Sequence, residues 1–400
     1  MKKASTDKSR SRTGVVILAF IAFISLGLPD GLLGVAWPLM RQSFSRSLDS
    51  LGMLLAASMA GYLLSSFYSG KVTSRLGVGW LLSLSCLATG TSLLGYTLAA
   101  HWWIMIPLAM TAGLGAGAID GGLNTYVASN FGERLMQWAH ASYGIGITMG
   151  PVIMTSGISW FASWRLGYIV VGSLQIALST AFALSIKVWQ PVKSSTGEER
   201  KKSLSDYKTP MFETLRQMDV WISILLFFIY AGIETTIGSW AYTLLTESRG
   251  ISPVAAGYFV GSYWAAFTIG RILAGIFTRP FRMHSIIRGS LFAAFIGAML
   301  LILNPFKAAS LAGVVITGFA IAPIFPGMVS LTAKRVGPHY AANTIGMQIS
   351  AAGLGVAVIP GLTGVLAQRL SLEVIPVLIL FWIISLFILY SLSIRREKTE

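Results

Sequence analysis

Five ionisable side chains stand inside otherwise apolar stretches of this 400-residue chain: Asp30, Asp120, Glu234, His140 and Arg271. A carboxylate at the centre of a helix in hydrocarbon costs about 2.5–3.5 kcal/mol on insertion scales, so such residues persist where they are used. Asp30 lies in GLPDGLLG, where Pro29 and Gly31 weaken helical regularity. There it either takes up and releases a proton in a partly wet cavity or bonds the loosened backbone. Asp120 is followed one turn later by Asn124 on the same helix face. The pair offers acceptors and donors to hydroxyl groups, or Asp120 itself carries a proton.

Glu234 sits in YAGIETTIGSWAYT, near Tyr230, Thr235, Thr236, Ser239, Trp240 and Tyr242. Aromatic faces beside carboxylate and hydroxyl groups suit a sugar, whose CH face stacks while its hydroxyls need partners. The same oxygens suit a hard cation. His140 titrates near working pH and is a candidate for binding or proton passage, with a purely structural role as the alternative. Tyr143, Trp264 and Gln348 complete the expected small-molecule contacts. Arg271, in GRILAGIFTR, lies toward the end of its run, where a long side chain can hold neighbouring helix ends together, so a gating role is expected. The sequence shows no metal-ligand cluster, phosphate loop or nucleophile motif, which argues against ATP-driven chemistry and against an enzyme. GLGAGAIDGG lies inside an apolar run with no preceding strand, so it is not a dinucleotide loop. No cofactor is expected; the coupling ion is a proton, with Na⁺ as the alternative.

The elements that must position these groups are apolar runs. With 54% hydrophobic and 11% charged residues, the chain departs from soluble domains, which carry about 25% charged residues. A helix needs roughly 20 apolar residues to cross a bilayer core. Spans are expected at 14–36, 48–69, 78–98, 103–129, 137–161 and 164–187, then at 219–246, 253–277, 285–304, 309–333, 341–366 and 372–393. This is an all-α membrane protein of twelve transmembrane helices in two six-helix bundles, 1–187 and 219–400, joined by a polar linker, 188–218, with a short surface helix near Met211 to Met218. The net charge of +15 is not a nucleic-acid signal, because 23 of the 30 Lys and Arg fall at the termini and in the loops of one side. That asymmetry places both termini in the cytoplasm. The first run follows Lys2, Lys3, Lys8, Arg10 and Arg12 but is too long for a secretory signal. The single cysteine, Cys86, is expected in the apolar core. The partners expected are the lipid bilayer of the inner (cytoplasmic) membrane and a small-molecule substrate, with the chain a monomer.

The halves align. GLGAGAIDGGLNTYVASNFG (113–132) lies over GFAIAPIFPGMVSLTAKRVG (318–337) without a gap, pairing Gly113 with Gly318, Gly122 with Gly327 and Gly132 with Gly337. GIGITMGP lies over GLGVAVIP, pairing Gly144, Gly146 and Pro151 with Gly353, Gly355 and Pro360. Parallel repeats related by an axis along the membrane normal are a plan of secondary transporters, and glycines at these positions permit close helix contact.

GKVTSRLG (70–77) resembles the signature loop of the major facilitator superfamily, and GRILAGIFTR resembles its second-half counterpart. Gly70, Arg75, Gly77, Gly270 and Arg271 take gating roles on this resemblance. Ser74 stands where that family usually has an acid, which weakens the usual charge contact between helices. LPDGLLG, AIDGGLN, WAHASYGIGITMGP, GIETTIGSW and IFPGMVSL are similar to the fucose-proton symporter branch and to sodium-dependent glucose transporter-like proteins. The resemblance implies alternating access, with Asp30 and Asp120 at positions of coupling or substrate-binding acids, Asp120 replacing a more frequent glutamate. Glu234 and His140 match motifs of the glucose transporter-like members. The expected function is proton-coupled symport of a sugar or related polyol; the alternative is a proton-coupled exporter of amphipathic compounds or drugs, suggested by an apolar composition that includes Trp138, Trp264 and Met347.

Overall fold

A segment in hydrocarbon has no water to satisfy its peptide groups, so it must close its hydrogen bonds internally. The computed structural model describes residues 2–130, 133–189, 209–277 and 283–397, and all regular structure among them is helical. The chain forms two compact units, Met1–Arg46 with Met53–Ser195, and Ser47–Gly52 with Thr196–Glu400. The first contains α1 (Lys2–Asp30), α2 (Leu33–Ser43), α3 (Leu51–Leu76, from Met53), α4 (Val78–Leu98), α5 (Trp102–Asn130), α6 (Glu133–Phe161) and α7 (Trp164–Leu184). The second contains α8 (Met211–Leu215), α9 (Met218–Thr243), α10 (Pro253–Phe277), α11 (Met283–Leu303), α12 (Lys307–Ile321), α13 (Ile324–Ser330), α14 (Thr332–Val336), α15 (Pro338–Arg369) and α16 (Val374–Glu397).

Each of the twelve expected spans coincides with helix. Ten segments among the described residues are long and apolar enough to cross a membrane, and the bent pair α1–α2 makes eleven. Helix α10, at 25 residues, also has the length to cross. Two expected spans differ in detail. Span one breaks after Asp30, bends by 41° and runs on to Ser43; at the break Leu32 N–H donates to Pro29 O at 3.1 Å. Span ten is three pieces, interrupted at Ala322–Pro323 and at Leu331, because Pro323 lacks the N–H that would continue the ladder. Most of the expected linker lies outside the described residues. The expected surface helix is α8, whose preceding Thr209 donates to His339 O at 2.8 Å while Asn343 Nδ2 donates to Thr209 O at 2.9 Å.

Glycines set how closely the helices approach. In the first unit a Cβ on Gly113 would overlap the carbonyl oxygen of Ser58, and one on Gly117 that of Tyr62, so a glycine stripe on α5 runs against the α3 backbone. A Cβ on Gly318, aligned with Gly113, would lie 2.6 Å from the carbonyl oxygen of Tyr263 on α10. Gly146 abuts Ile24 O on α1, and its counterpart Gly355 abuts Phe228 O on α9. Each unit therefore repeats the same two backbone contacts between equivalent helices. Gly77 and Gly337, with φ of 81° and 78°, start α4 and α15 from a left-handed conformation that favours glycine. Cys86 is buried in the apolar core of the first unit with Phe23, Leu82, Leu123 and Phe182.

Ser47–Gly52, placed by sequence order in the first half, packs within the second unit: Leu48 N–H donates to Gln368 Oε1 at 2.9 Å. A clasp ties other helix ends of that unit. Arg249, with its side chain 3% exposed, donates to Glu373 Oε2 at 2.7 Å, Ser310 Oγ at 2.7 Å and Leu301 O at 2.6 Å. Arg249→Ala is expected to destabilise the second unit by about 2–3 kcal/mol, toward the low end because the half-exposed Glu373 can rehydrate. A lowered unfolding midpoint in detergent would register it. The Arg249 hydrogen bonds hold the Glu373 carboxyl below its ordinary value of 4.5. Its contribution is therefore complete above that ordinary value and is lost as pH falls through the lowered one. The difference between wild type and Glu373→Gln should accordingly be flat from neutrality down to about pH 5 and shrink below that.

Candidate functional site

The embedded acids fall into two clusters, one per unit. In the first unit, the close approach of α1 and α6 at Gly27, where a Cβ would overlap Tyr143 O, brings Tyr143 beside the end of α1. Tyr143 Oη donates to Asp30 Oδ2 at 2.8 Å, and Asp30 is exposed at the helix break. Deeper in the unit, Asp120 accepts from both sides: Asn124 Nδ2 donates to Oδ1 at 2.7 Å, and Tyr62 Oη donates to Oδ2. Tyr62 also lies within electrostatic reach of Asp30. The Asp120–Asn124 relation follows from helical spacing. Tyr62 was not among the sequence candidates; the signal that finds it is the glycine stripe, because Gly117 admits the α3 backbone at Tyr62 one turn from Asp120.

In the second unit Glu234 on α9 meets Arg271 on α10, with a closest N···O distance of 3.8 Å. The guanidinium lies over the Phe267 ring at 4.3 Å. Tyr263 Oη donates to the backbone oxygen of Glu234 at 2.9 Å, and Tyr230 stands beside the pair. Phe325, which aligns with Asp120, packs against Phe227 and Tyr230 with ring centroids 4.9 and 5.6 Å apart. The acid of the first unit is thus replaced by an aromatic wall in the second. Arg271, expected as a gating residue, has Glu234 as its ion-pair partner in mid-span.

Other candidates are placed differently from expectation. Trp240 is fully buried and its Nε1 donates to Pro360 O at 3.0 Å. Gln348 is also fully buried and exchanges hydrogen bonds with Thr332 at 3.1 Å. Both were expected to touch a small molecule, and both have their polar atoms engaged inside the unit. Trp264 is buried against Tyr263 and Phe267, its ring lying against Gly238. Tyr230, Thr236, Ser239 and Tyr242 are buried as well, so of the expected group on span seven Glu234 and Thr235 keep some exposure. His140 is exposed, its ring 5.4 Å from Phe23. Arg75 is exposed, Ser74 bonds back to Lys71 O at 2.9 Å, and nothing approaches Gly70. A Cβ on Gly270 would lie 2.6 Å from Phe319 O, so α10 and α12 approach closely there. Among the described residues no group of three His, Cys, Asp or Glu is placed to hold a metal ion.

Membrane-length helices in two units, with ionisable groups held inside the spans, are the build of a membrane transporter. Residues 15–360 match the Major Facilitator Superfamily, and the chain belongs to that family. It is 22% identical to the glucose/mannose transporter GlcP of Bacillus subtilis (strain 168), over 97% of this chain and 96% of that one. It is 24% identical to Bypass of stop codon protein 6 of Saccharomyces cerevisiae, over 94% of this chain and 81% of that protein. Among solved structures, a bacterial homologue of the human lysosomal transporter Spinster, in an inward-facing and unoccupied conformation, superposes with a TM-score of 0.80 at 15% identity, covering 96% of this chain and 97% of that one.

Proposed function

We propose that this chain is a proton-coupled symporter of a sugar or related polyol, working by alternating access in the cytoplasmic membrane with both termini inside. The observation that carries the reading is the first-unit cluster, in which Tyr62 and Asn124 both donate to Asp120 while Tyr143 donates to Asp30. Asp120 takes up and releases the coupled proton, Asn124 beside it offers hydrogen bonds to substrate hydroxyls, and Asp30 lies at the exposed break in reach of water. Likeness to a glucose/mannose transporter along nearly the whole chain supports a sugar as the substrate. A proton is preferred over Na⁺ because the acids are held by phenol and amide donors, which compete with a metal ion for the carboxylate oxygens. Of the residues that suggested an exporter, Trp264 is buried against Tyr263 and Phe267, whereas Trp138 is exposed.

Purified protein in proteoliposomes, acid outside, should accumulate labelled hexoses or polyols, and collapse of the pH gradient should stop it. No gradient-driven uptake across a broad panel of sugars, polyols and sugar acids, or uptake that needs Na⁺ at fixed pH, would defeat the reading.

A further inference from the structure

We infer that Arg271 is a substrate-binding group and that the transported molecule bears a carboxylate, as a sugar acid does, which replaces Glu234 on the guanidinium when Glu234 takes up a proton. The inference rests on the reading of the chain as a proton-coupled carrier of sugar-like molecules and narrows its substrate class.

Two ion pairs of the second unit show the contrast. Arg249 and Glu373 close to 2.7 Å, and Arg249 adds Ser310 and Leu301 O to its partners. Arg271 and Glu234 stand 3.8 Å apart, beyond the roughly 2.7–2.9 Å of a charge-assisted hydrogen bond. The clasp closes to hydrogen-bond distance; the Arg271–Glu234 pair does not. Its members also remain reachable, with side chains 29% and 19% exposed, although both lie inside spans where an ion pair is costly. The Arg271 guanidinium is stacked on Phe267, and a stacked guanidinium presents its N–H edge, which matches a carboxylate with two parallel hydrogen bonds. Tyr230 and Tyr263 supply hydroxyl-bearing aromatic walls beside it.

The charge balance explains the coupling. A carboxylate arriving alone would place two anions on one guanidinium, and a proton arriving alone would strip Arg271 of its carboxylate partner. Arriving together, they leave one cation and one anion, as before. The titratable groups facing Glu234 are Tyr230 from its own helix and Tyr263 and Arg271 from α10. Helix α12 carries one charged side chain, Lys307 at its first position, and α13 carries none. The charged groups of α14 and α16 that meet α9 do so near its start, Arg335 at Ser223 and Arg396 at Asp219. His339 and Tyr340 open α15 at the same end, Tyr340 packing near Ile224 and bonding with Gln217.

The test is equilibrium binding of labelled glucuronate and glucose, which differ in a carboxylate against a hydroxymethyl, to the full-length protein in detergent at pH 5.5 and 7.5. Glucuronate should bind more tightly at pH 5.5, and Glu234→Gln should bind it equally at both. Arg271→Gln should weaken glucuronate about 30-fold or more, and Arg271→Lys, which keeps the charge but loses the fork, should weaken it less. An unchanged elution profile and melting curve establish that each variant is folded. Binding of glucose without glucuronate, or glucuronate affinity unmoved in Arg271→Gln, would overturn the inference and leave the symporter reading standing. Strengthening by Na⁺ in place of protons would assign Glu234 to a cation and also overturn it. If neither sugar binds and neither is taken up, both readings fall.

Discussion

Asp120→Asn is expected to abolish concentrative uptake while leaving the protein folded and able to bind its substrate. The substituted amide matches the carboxylate in shape, and it retains an acceptor oxygen for one of the two donors that now converge on it, Tyr62 and Asn124. What it loses is the ability to hold and release a proton. A gradient of one pH unit is worth about 1.4 kcal/mol, or roughly a tenfold concentration ratio, for one coupled proton. In liposomes this ratio should fall to unity in the variant, whereas exchange of internal for external substrate persists. Tyr62→Phe serves as the companion: it keeps the ring and both carboxylates but removes the donor to Asp120, so the pH profile of uptake should move while maximal binding is retained. An Asp120→Asn protein that still concentrates its substrate would remove this residue from the coupling step.

Gly113→Ala and Gly355→Ala should be among the most destabilising single-methyl changes available to the chain. At each site a Cβ would overlap a carbonyl oxygen, Ser58 O in one unit and Phe228 O in the other. Backbone within a packed helix cannot step aside as a side chain can. Overpacking costs about 1–3 kcal/mol where some relief exists, and the upper end or more is expected here. Gly289 and Gly346, which also lie within helices, have nothing within 4 Å of a new Cβ. At those positions alanine should be neutral or stabilising by up to about 1 kcal/mol, from helix propensity alone. Unfolding midpoints of the four variants in one detergent decide the matter, and equal effects at all four would mean that close helix contact is not what the glycines provide.

Much of the architecture was legible because hydrocarbon imposes a length and an apolarity on every crossing helix. The break at Pro29–Gly31 and the Asp120–Asn124 pair were legible because both depend on neighbours along one helix. The pairing of Glu234 with Arg271 was not, since 37 positions separate residues on different helices, and proximity to a helix end suggested gating for Arg271. The burial of Trp240 and Gln348 was hidden for a different reason. In a soluble helix a polar face marks the outside, but a membrane helix is apolar toward lipid and toward its neighbours, so periodicity does not reveal which face a residue occupies. Tyr62 shows the remaining limit: its meaning lies in what the opposite helix allows to come close.

The elbow of span one carries a mechanical corollary. A Cβ on Gly31 would collide with Ile147 O and lie 2.6 Å from Pro151 Cδ, and one on Gly150 would lie 2.7 Å from Leu28 O. The bend is thus clamped on the α6 side by backbone and ring atoms that have no slack. It behaves as a weld rather than a swivel. Asp30 is carried with α6 as part of one stiff bracket, together with the Tyr143 that holds it, so a change in its contacts bears on α1 and α6 at once instead of being absorbed by a flexing joint.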